Sequence, residues 1–300
     1  SDCNPVQPEA SLIMTAPVSS ASSNDVNPQG PTFVFNWVGR VGLAVILFWA
    51  VVAIAGPFLA PHPPGEIVDW DYFGPVTSEF WMGTDYLGRD IFSRIIMGAR
   101  YTVGIALAAV TLACTIGVLL GMIAAVAGGW FDMILSRLLD AFNGIPSLLF
   151  GLVVVAAVGS SIPILILTLT AIYMPGSYRF ARALAVNINT MDFVTVARAR
   201  GEATPYLILR EIFPNILGPV LADLGLRFVF IVLVLSGLSF LGLGVQPPNA
   251  DWGALVRENI EGLSLGAPAV IFPSIAIASL TISVNMFIDN LPTRIRDRSE

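Results

Sequence analysis

Long runs of uncharged, mostly apolar residues recur along this chain and constrain its fold more than any other feature. An α-helix needs about 20 such residues to cross the hydrocarbon core of a bilayer. The longest run contains a turn-like segment from Gly159 to Pro163, which predicts two antiparallel helices rather than one. The sequence thus predicts an all-α integral membrane protein with six transmembrane helices, within residues 41–60, 101–129, 141–178 (two helices), 228–244 and 268–288. The fifth helix is expected to begin near Pro219.

The composition supports a membrane protein and excludes several kinds of site. Hydrophobic residues make up 55% of the chain and charged residues 12%, with a mean hydropathy of +0.78. A soluble domain usually carries about 25% charged residues. The chain has no lysine, so it cannot contain a phosphate-binding GxxxxGK[ST] loop. One histidine and two cysteines exclude an HExxH site or a Cys/His metal cluster, and a net charge of −6 gives no sign of a nucleic-acid partner.

The arginines and the polar segments predict how the chain is oriented in the bilayer. Basic residues near helix ends tend to stay cytoplasmic, and most arginines meet this rule if both termini are cytoplasmic. Residues 61–100 then form an external loop that carries most of its charge as aspartate and glutamate, whereas residues 190–215 face the cytoplasm. Residues 1–36 are rich in Ser, Pro, Ala and Asn and predict a disordered cytoplasmic tail before a membrane domain at 37–300.

A polar segment interrupts the apolar runs at residues 193–214, FVTVARARGEATPYLILREIFP. Glycine and proline disfavour a continuous helix here, so the pattern predicts a helix at 192–200, a turn at Gly201 and a second helix at 205–212. Pro205 would lie in the first turn of the second helix, where its missing N–H costs nothing. A rigid projection of this kind can pass a push from a cytoplasmic protein into the bilayer. The alternative interpretation is an ordinary helical loop between two spans.

Charged residues in the predicted helices are candidates for lining a transport pathway. Arg137 and Asp140 are three residues apart, and Asp223 and Arg227 are four apart, so each pair lies on one helix face. Intramembrane charges usually face a protein interior or a wet cavity. The alternative is a pair of interfacial anchors, which is favoured because each pair lies within a turn or two of a predicted helix end. Asn143 is a further candidate for the pathway.

Three sequence blocks together resemble one family of membrane proteins. The polar segment resembles the EAA loop of ABC-importer permeases, although Thr195 replaces the glutamate of that pattern and Val196 its first alanine. WMGTDYLGRDIFSR at 81–94 and LSFLGLGVQPP at 238–248 are similar to the dipeptide, oligopeptide and nickel branch of these permeases. The resemblance extends from about Phe80 to Asp297, with a core permease region at about 97–290.

The resemblance implies a type I ABC-importer permease fold with a cytoplasmic EAA-type coupling helix, in a bacterial inner membrane. The chain would be the second permease of a heterodimer, served by two ABC ATPase subunits and an extracytoplasmic substrate-binding protein. ATP and Mg would bind the ATPase subunits, and this chain would carry no catalytic site, metal or cofactor. The residues expected to couple to the ATPases are Thr195, Val196, Ala197, Arg198, Gly201, Glu202 and Pro205.

The expected cargo is a small peptide or peptide-like solute, with a nickel chelate, an opine or a glutathione-like compound as alternatives. Two other classes of function stay open on the residues alone. A secondary transporter or channel would work without an ATPase, but it often shows internal repeats, and none is evident between the two halves of the chain. A membrane enzyme would need a convergent set of catalytic side chains near one membrane face.

Overall fold

The computed structural model describes residues 37–290, all of which belong to one compact unit. The predictions for the tail at 1–36 and for the last ten residues lie outside this part of the chain. Residues 37–290 form helices and connecting loops without a β-strand. The α-helices are α1 (Trp37–Leu59), α2 (Ile91–Ala127), α3 (Gly129–Asn143), α4 (Ser147–Val158), α5 (Ile162–Asn189), α6 (Asp192–Ala199), α7 (Thr204–Tyr206), α8 (Phe213–Phe240), α9 (Trp252–Glu258) and α10 (Ile271–Asp289).

Five helical segments are long and apolar enough to cross a membrane as continuous spans. They are α1, α2, α5, the segment Thr204–Phe240 and the segment Pro268–Asp289. The α3–α4 pair passes the same test only when taken as one span, and it is bent by 86°. The prediction of an all-α membrane protein with six spans is therefore confirmed, with a broken helix as the sixth.

The second span begins ten residues earlier than the sequence pattern predicted. Arg94 and Arg100 interrupt the apolar run, so residues 91–100 were assigned to the external loop. In the structure α2 begins at Ile91, after Asp90 caps its N-terminus by accepting hydrogen bonds from the backbone N–H groups of Phe92 and Ser93. Arg94 is buried inside this helix because two acidic side chains compensate its charge.

The third predicted span is also different, because the chain breaks between α3 and α4. Pro146 has no N–H to donate and disfavours a helical conformation at Ile145, which ends α3 close to this point. The helix α3 exposes several apolar side chains, among them Trp130 (75% exposed), whereas Leu139 is buried. This two-sided character fits a helix lying at the surface of the bundle.

The fifth span does not begin at Pro219, which lies inside α8. A helical segment starts at Thr204, passes through a π-helix at Leu207–Ile212 and continues into α8. The π-helical turns directly precede Pro214, whose ring cannot supply the N–H of a regular helix at that position. The second short helix predicted at 205–212 is consequently the N-terminal part of this span.

The pair α2–α5 packs closely at the centre of the bundle because of two glycines spaced four apart. A Cβ atom at Gly117 would lie 2.7 Å from the Met174 carbonyl oxygen, and one at Gly121 would lie 2.7 Å from the Tyr178 carbonyl oxygen. Small residues at this spacing allow helix backbones to approach each other in membranes. Gly128 plays a different role, because it caps α2 and has nothing near its side-chain position.

Candidate functional site

Helix α6 is the short helix predicted in the polar segment, and it lies between α5 and the start of the fifth span. Its buried side chains are Val194 and Ala197, which pack with Leu207 and with Ile188 at the end of α5. The other residues from Phe193 to Arg200 are exposed. One small apolar cluster therefore attaches α6 to both helices that flank it.

The turn at Gly201 closes α6 with the two hydrogen bonds of a Schellman motif. The N–H of Gly201 donates to the Arg198 carbonyl (3.0 Å), and the N–H of Glu202 donates to the Ala197 carbonyl (3.3 Å). This arrangement requires a left-handed residue, and Gly201 has φ of +84°. The predicted turn is confirmed, and its geometry explains why glycine occupies the position.

A polar contact that sequence reasoning missed anchors α6 to the bundle. Arg198 Nη2 donates to Asn189 Oδ1 (2.8 Å), and Asn189 Nδ2 donates to the Ala125 carbonyl (3.2 Å) near the end of α2. Asn189 thus connects α6, α5 and α2 through one side chain. Its partners are distant in sequence, so no local pattern indicated this role.

The residues predicted to couple to a partner are not all on the surface. Thr195, Val196, Arg198, Gly201 and Pro205 are exposed and Glu202 is half-buried, whereas Ala197 is fully buried. The small side chain of Ala197 therefore serves packing inside the loop. Thr195 Oγ1 donates to the Met191 carbonyl of its own helix (3.3 Å).

The start of the fifth span forms a stiff connection from the α6 loop into the bundle. Ile208, Ile212, Ile216 and Val220 recur every four residues and are all buried. They pack against side chains of α2 and α5, including Met122. The α6 loop is therefore continuous with a helix whose buried face packs in the core of the bundle.

The pair predicted between Arg137 and Asp140 does not form. Asp140 instead pairs with Arg179 of α5 at 3.3 Å, and both side chains are 59% exposed. Asn143 donates to the Leu139 carbonyl of its own helix (3.3 Å) and lines a small cavity of about 40 Å³ at the α3–α4 break. Neighbouring Arg182 makes a two-pronged ion pair with Asp132, so charges as well as apolar packing hold α3 to α5.

The pair predicted between Asp223 and Arg227 does form, with Arg227 Nε 2.5 Å from Asp223 Oδ2. Both side chains are largely buried, at 15% and 13% exposed. The interpretation as interfacial anchors depended on a helix start near Pro219. The span begins well before that residue and the pair lies in the middle of α8, but the helical segment Thr204–Phe240 is longer than the hydrocarbon core of a bilayer. The position in the helix therefore does not fix the depth of the pair, and the interpretation as interfacial anchors stays a prediction.

A second charged cluster links the segment just before and at the start of α2 to α9 and was not predicted. Asp85 Oδ2 accepts from Arg89 Nε (2.7 Å) and Arg94 Nη1 (2.6 Å), and Glu258 Oε2 accepts from both arginines at 2.8 Å. Burial acts to lower the pKa of Arg89, but the charges of Asp85 and Glu258 outweigh it, and the net shift is upward. Two arginines and two carboxylates thus compensate each other across 164 residues of sequence between Arg94 and Glu258.

Asp251 organises the loop that follows α8. It is buried, and its carboxylate accepts from Ser239 Oγ (2.7 Å) and from the backbone N–H groups of Val245 and Ala254 (both 3.1 Å). Burial raises the pKa of Asp251, and these hydrogen bonds oppose that rise. The carboxylate caps α9 and fixes the backbone of the LGLGVQPP segment at Val245.

These features define a multi-pass helical membrane protein with an exposed helical loop fixed between two spans. Comparison with known proteins supplies its family. The binding-protein-dependent transport system inner membrane component family matches residues 117–297, and the N-terminal transmembrane domain of oligopeptide transport permease C matches residues 32–75. The chain belongs to this family of inner membrane components, and it is a permease subunit of an ABC importer.

Several relatives resemble the chain over most of its length. The dipeptide transport system permease protein DppC of Alkalihalophilus pseudofirmus is 32% identical over 256 residues, which cover 85% of this chain and 84% of the relative. The glutathione transport system permease protein GsiD of Pectobacterium atrosepticum is 32% identical over 252 residues, covering 83% of each. The protein DppC of Bacillus subtilis is 30% identical over 257 residues, covering 85% of this chain and 80% of the relative.

Proposed function

We propose that the α6 loop is the coupling element through which two cytoplasmic ABC ATPase subunits drive this permease. The main support for the proposal is the structure of the α6 loop. It presents Thr195, Val196 and Arg198 on its surface, and it is fixed by a glycine cap and by Asn189 to two membrane spans.

ATP binding would bring the ATPase subunits together and displace α6. The displacement would reach α5 through Val194 and Ile188, and it would reach the fifth span through Leu207. The two spans would then tilt and open the pathway first to one side of the membrane and then to the other. ATP hydrolysis would occur on the ATPase subunits, with Mg bound there, and the role of this chain is mechanical.

The other partners and the cargo follow from the family and from the names of the relatives. The pathway would form between this permease and a homologous second permease, and an extracytoplasmic binding protein would deliver the cargo. The relatives transport dipeptides and glutathione by name. We therefore assign small peptides or peptide-like solutes as the cargo class. Both termini and α6 would be cytoplasmic, in a bacterial inner membrane.

The proposal is tested by isolating the permease with the products of its neighbouring genes. We expect an ABC ATPase to co-purify with the wild-type chain, and uptake of radiolabelled dialanine or glutathione in cells to stop when ATP is depleted. Uptake that continues without ATP would favour a secondary transporter or channel. Turnover of a substrate by the purified chain alone would favour a membrane enzyme.

The cargo is tested separately from the coupling. If an ATPase co-purifies but neither dialanine nor glutathione enters the cells, the peptide assignment is wrong and the coupling role stands. If no ATPase co-purifies although the permease is folded, the coupling role is wrong.

A further inference from the structure

The ion pair between Asp223 and Arg227 lies at the middle of the membrane-spanning helix α8. Arg227 comes fourteen residues after Phe213 and thirteen before Phe240 in this 28-residue helix. At a rise of 1.5 Å per residue it is about 20 Å from either end of α8. Charges within a membrane-spanning helix are costly and usually face a protein interior or a wet cavity. The ion pair with Asp223 uses Nε and Nη2 of Arg227, which leaves Nη1 to contact a neighbouring helix.

The second contact of the guanidinium is with α5. Arg227 Nη1 lies 3.5 Å from the carbonyl oxygen of Tyr173, near the middle of α5. Tyr173 returns the contact, because its hydroxyl donates to the carbonyl oxygen of Phe230 on α8 (3.1 Å). Each helix thus donates one side-chain hydrogen bond to the backbone of the other. We call this pair of contacts the α5–α8 clasp.

The backbone of α5 is shaped to receive the guanidinium. Gly176 leaves the space that the guanidinium occupies, since a Cβ at this position would overlap Arg227 Nη1. Pro175, which precedes it, interrupts the helical hydrogen bonding at the carbonyl of Ala171 and not at that of Tyr173. The glycine is therefore the feature of α5 that fits the guanidinium.

The clasp joins the two helices that leave the α6 loop. The chain enters α6 from the end of α5 and leaves it into the helical segment that becomes α8. At the loop the two helices are attached through Val194, Ala197, Ile188 and Leu207. The clasp adds a second attachment near the middle of both helices, so α5 and α8 are in contact at two levels. Two attachments along a helix pair oppose relative rotation of the two helices.

We propose that Arg227 and Tyr173 are positioning residues that make α5 and α8 move as one rigid unit during transport. This inference rests on the proposed coupling role of α6. Asp223 orients the guanidinium through a two-pronged contact, 2.5 Å from Nε and 3.0 Å from Nη2, and leaves Nη1 directed at α5. Without the clasp, a displacement of α6 would be dissipated as relative motion of the two helices and would not reach the far side of the membrane.

Two alternatives make different predictions for the same residues. If the clasp only contributes packing, its loss lowers stability without changing how the helices move. If Arg227 instead binds an anionic group of the cargo, its loss weakens cargo binding and leaves the α5–α8 geometry unchanged. A measurement of the distance between α5 and α8 therefore distinguishes the proposal from a packing role and from a cargo-binding role.

The variants are chosen to remove the clasp with the least disturbance. Tyr173→Phe deletes one hydroxyl and leaves the ion pair intact. Arg227→Lys keeps the charge beside Asp223 but loses the planar fork that also reaches α5. Tyr178→Phe is the matched control, because it is the same change on the same helix, at a hydroxyl that contacts Ser136 of α3.

The measurement is the distance between spin labels at Ile162 and Leu241, at the ends of α5 and α8 remote from α6. It is made by pulsed electron paramagnetic resonance on the assembled transporter, in a Cys3→Ser, Cys114→Ser background, without nucleotide and after vanadate trapping with ATP. We expect the wild type and Tyr178→Phe to give one narrow distance in both states. Tyr173→Phe and Arg227→Lys should shift or broaden that distance after trapping while ATP hydrolysis continues.

Each other outcome overturns the clasp. A wild-type distance that changes on trapping would show that the helices do not move as one unit. Variants that match the wild type would show that Arg227 and Tyr173 do not set the geometry. If Tyr173→Phe and Arg227→Lys lose assembly or ATP hydrolysis while Tyr178→Phe keeps both, the clasp contributes only to packing. If the wild-type complex contains no ATPase, the proposed coupling role of α6 is wrong. This outcome is distinguishable from a failure of the clasp, which concerns only the α5–α8 distance.

Discussion

The left-handed cap at Gly201 gives the sharpest test of the coupling role. A Cβ at this position would meet nothing within 4 Å, so a substitution introduces no steric clash. The whole penalty comes from the backbone, because φ is +84°. A left-handed conformation costs an ordinary residue about 1–2 kcal/mol, and asparagine tolerates it better. Such a penalty lowers the population of the closed cap about 5- to 30-fold.

The assay compares Gly201→Val with Gly201→Asn in the complex purified with its ATPase subunits. We expect Gly201→Val to insert normally but to reduce ATPase co-purification and cargo-stimulated ATP hydrolysis, because the Schellman bonds from Gly201 and Glu202 open. Gly201→Asn should retain most of both. Normal coupling in Gly201→Val would refute the reasoning, and equal impairment in both variants would show that the left-handed conformation is not the cause.

Three further predictions concern stability and are measured by thermal unfolding of the purified chain in detergent. Gly121→Ala should destabilise by about 1–3 kcal/mol because the added methyl meets the α5 backbone, whereas Gly104→Ala on the same helix, with nothing within 4 Å, should be neutral. If both behave alike, close α2–α5 contact is not what holds the pair. Arg94→Met should cost about 3–5 kcal/mol because two buried carboxylates lose a partner; a neutral result would show that Arg89 alone compensates them. Asp251→Ala should cost about 2 kcal/mol or more, since it removes three hydrogen bonds, one of which caps α9, and an unchanged unfolding temperature would contradict that role.

The sequence predicted the number of spans well because the length of an apolar run is a local property. It predicted boundaries less well wherever a charge inside a helix has a distant partner. Arg94 was taken as part of a loop, yet Glu258 compensates it from the other end of the chain. Pro219 was taken as a helix start, although prolines are tolerated within spans when neighbouring groups adapt.

The candidate site shows the same division between local and distant information. The turn at Gly201 and the pair Asp223–Arg227 were predicted because their geometry depends on residues within one or two helical turns. The partner of Asp140 is Arg179, which only the folded arrangement brings near. The inward direction of Ala197 also depends on which face of α6 meets Leu207, and a sequence pattern does not contain that information.

The central claim is that the exposed face of α6 contacts an ATPase subunit in the cytoplasm, and site-specific photocross-linking tests it most directly. A photoreactive amino acid is placed at Val196, which is 56% exposed, or at Ala197, which is fully buried as the matched control. The account predicts an adduct between the Val196 position and an ABC ATPase subunit, with little or none from the Ala197 position. Failure of the Val196 position to reach an ATPase, or its labelling by an impermeant reagent from outside the cell, would contradict the account.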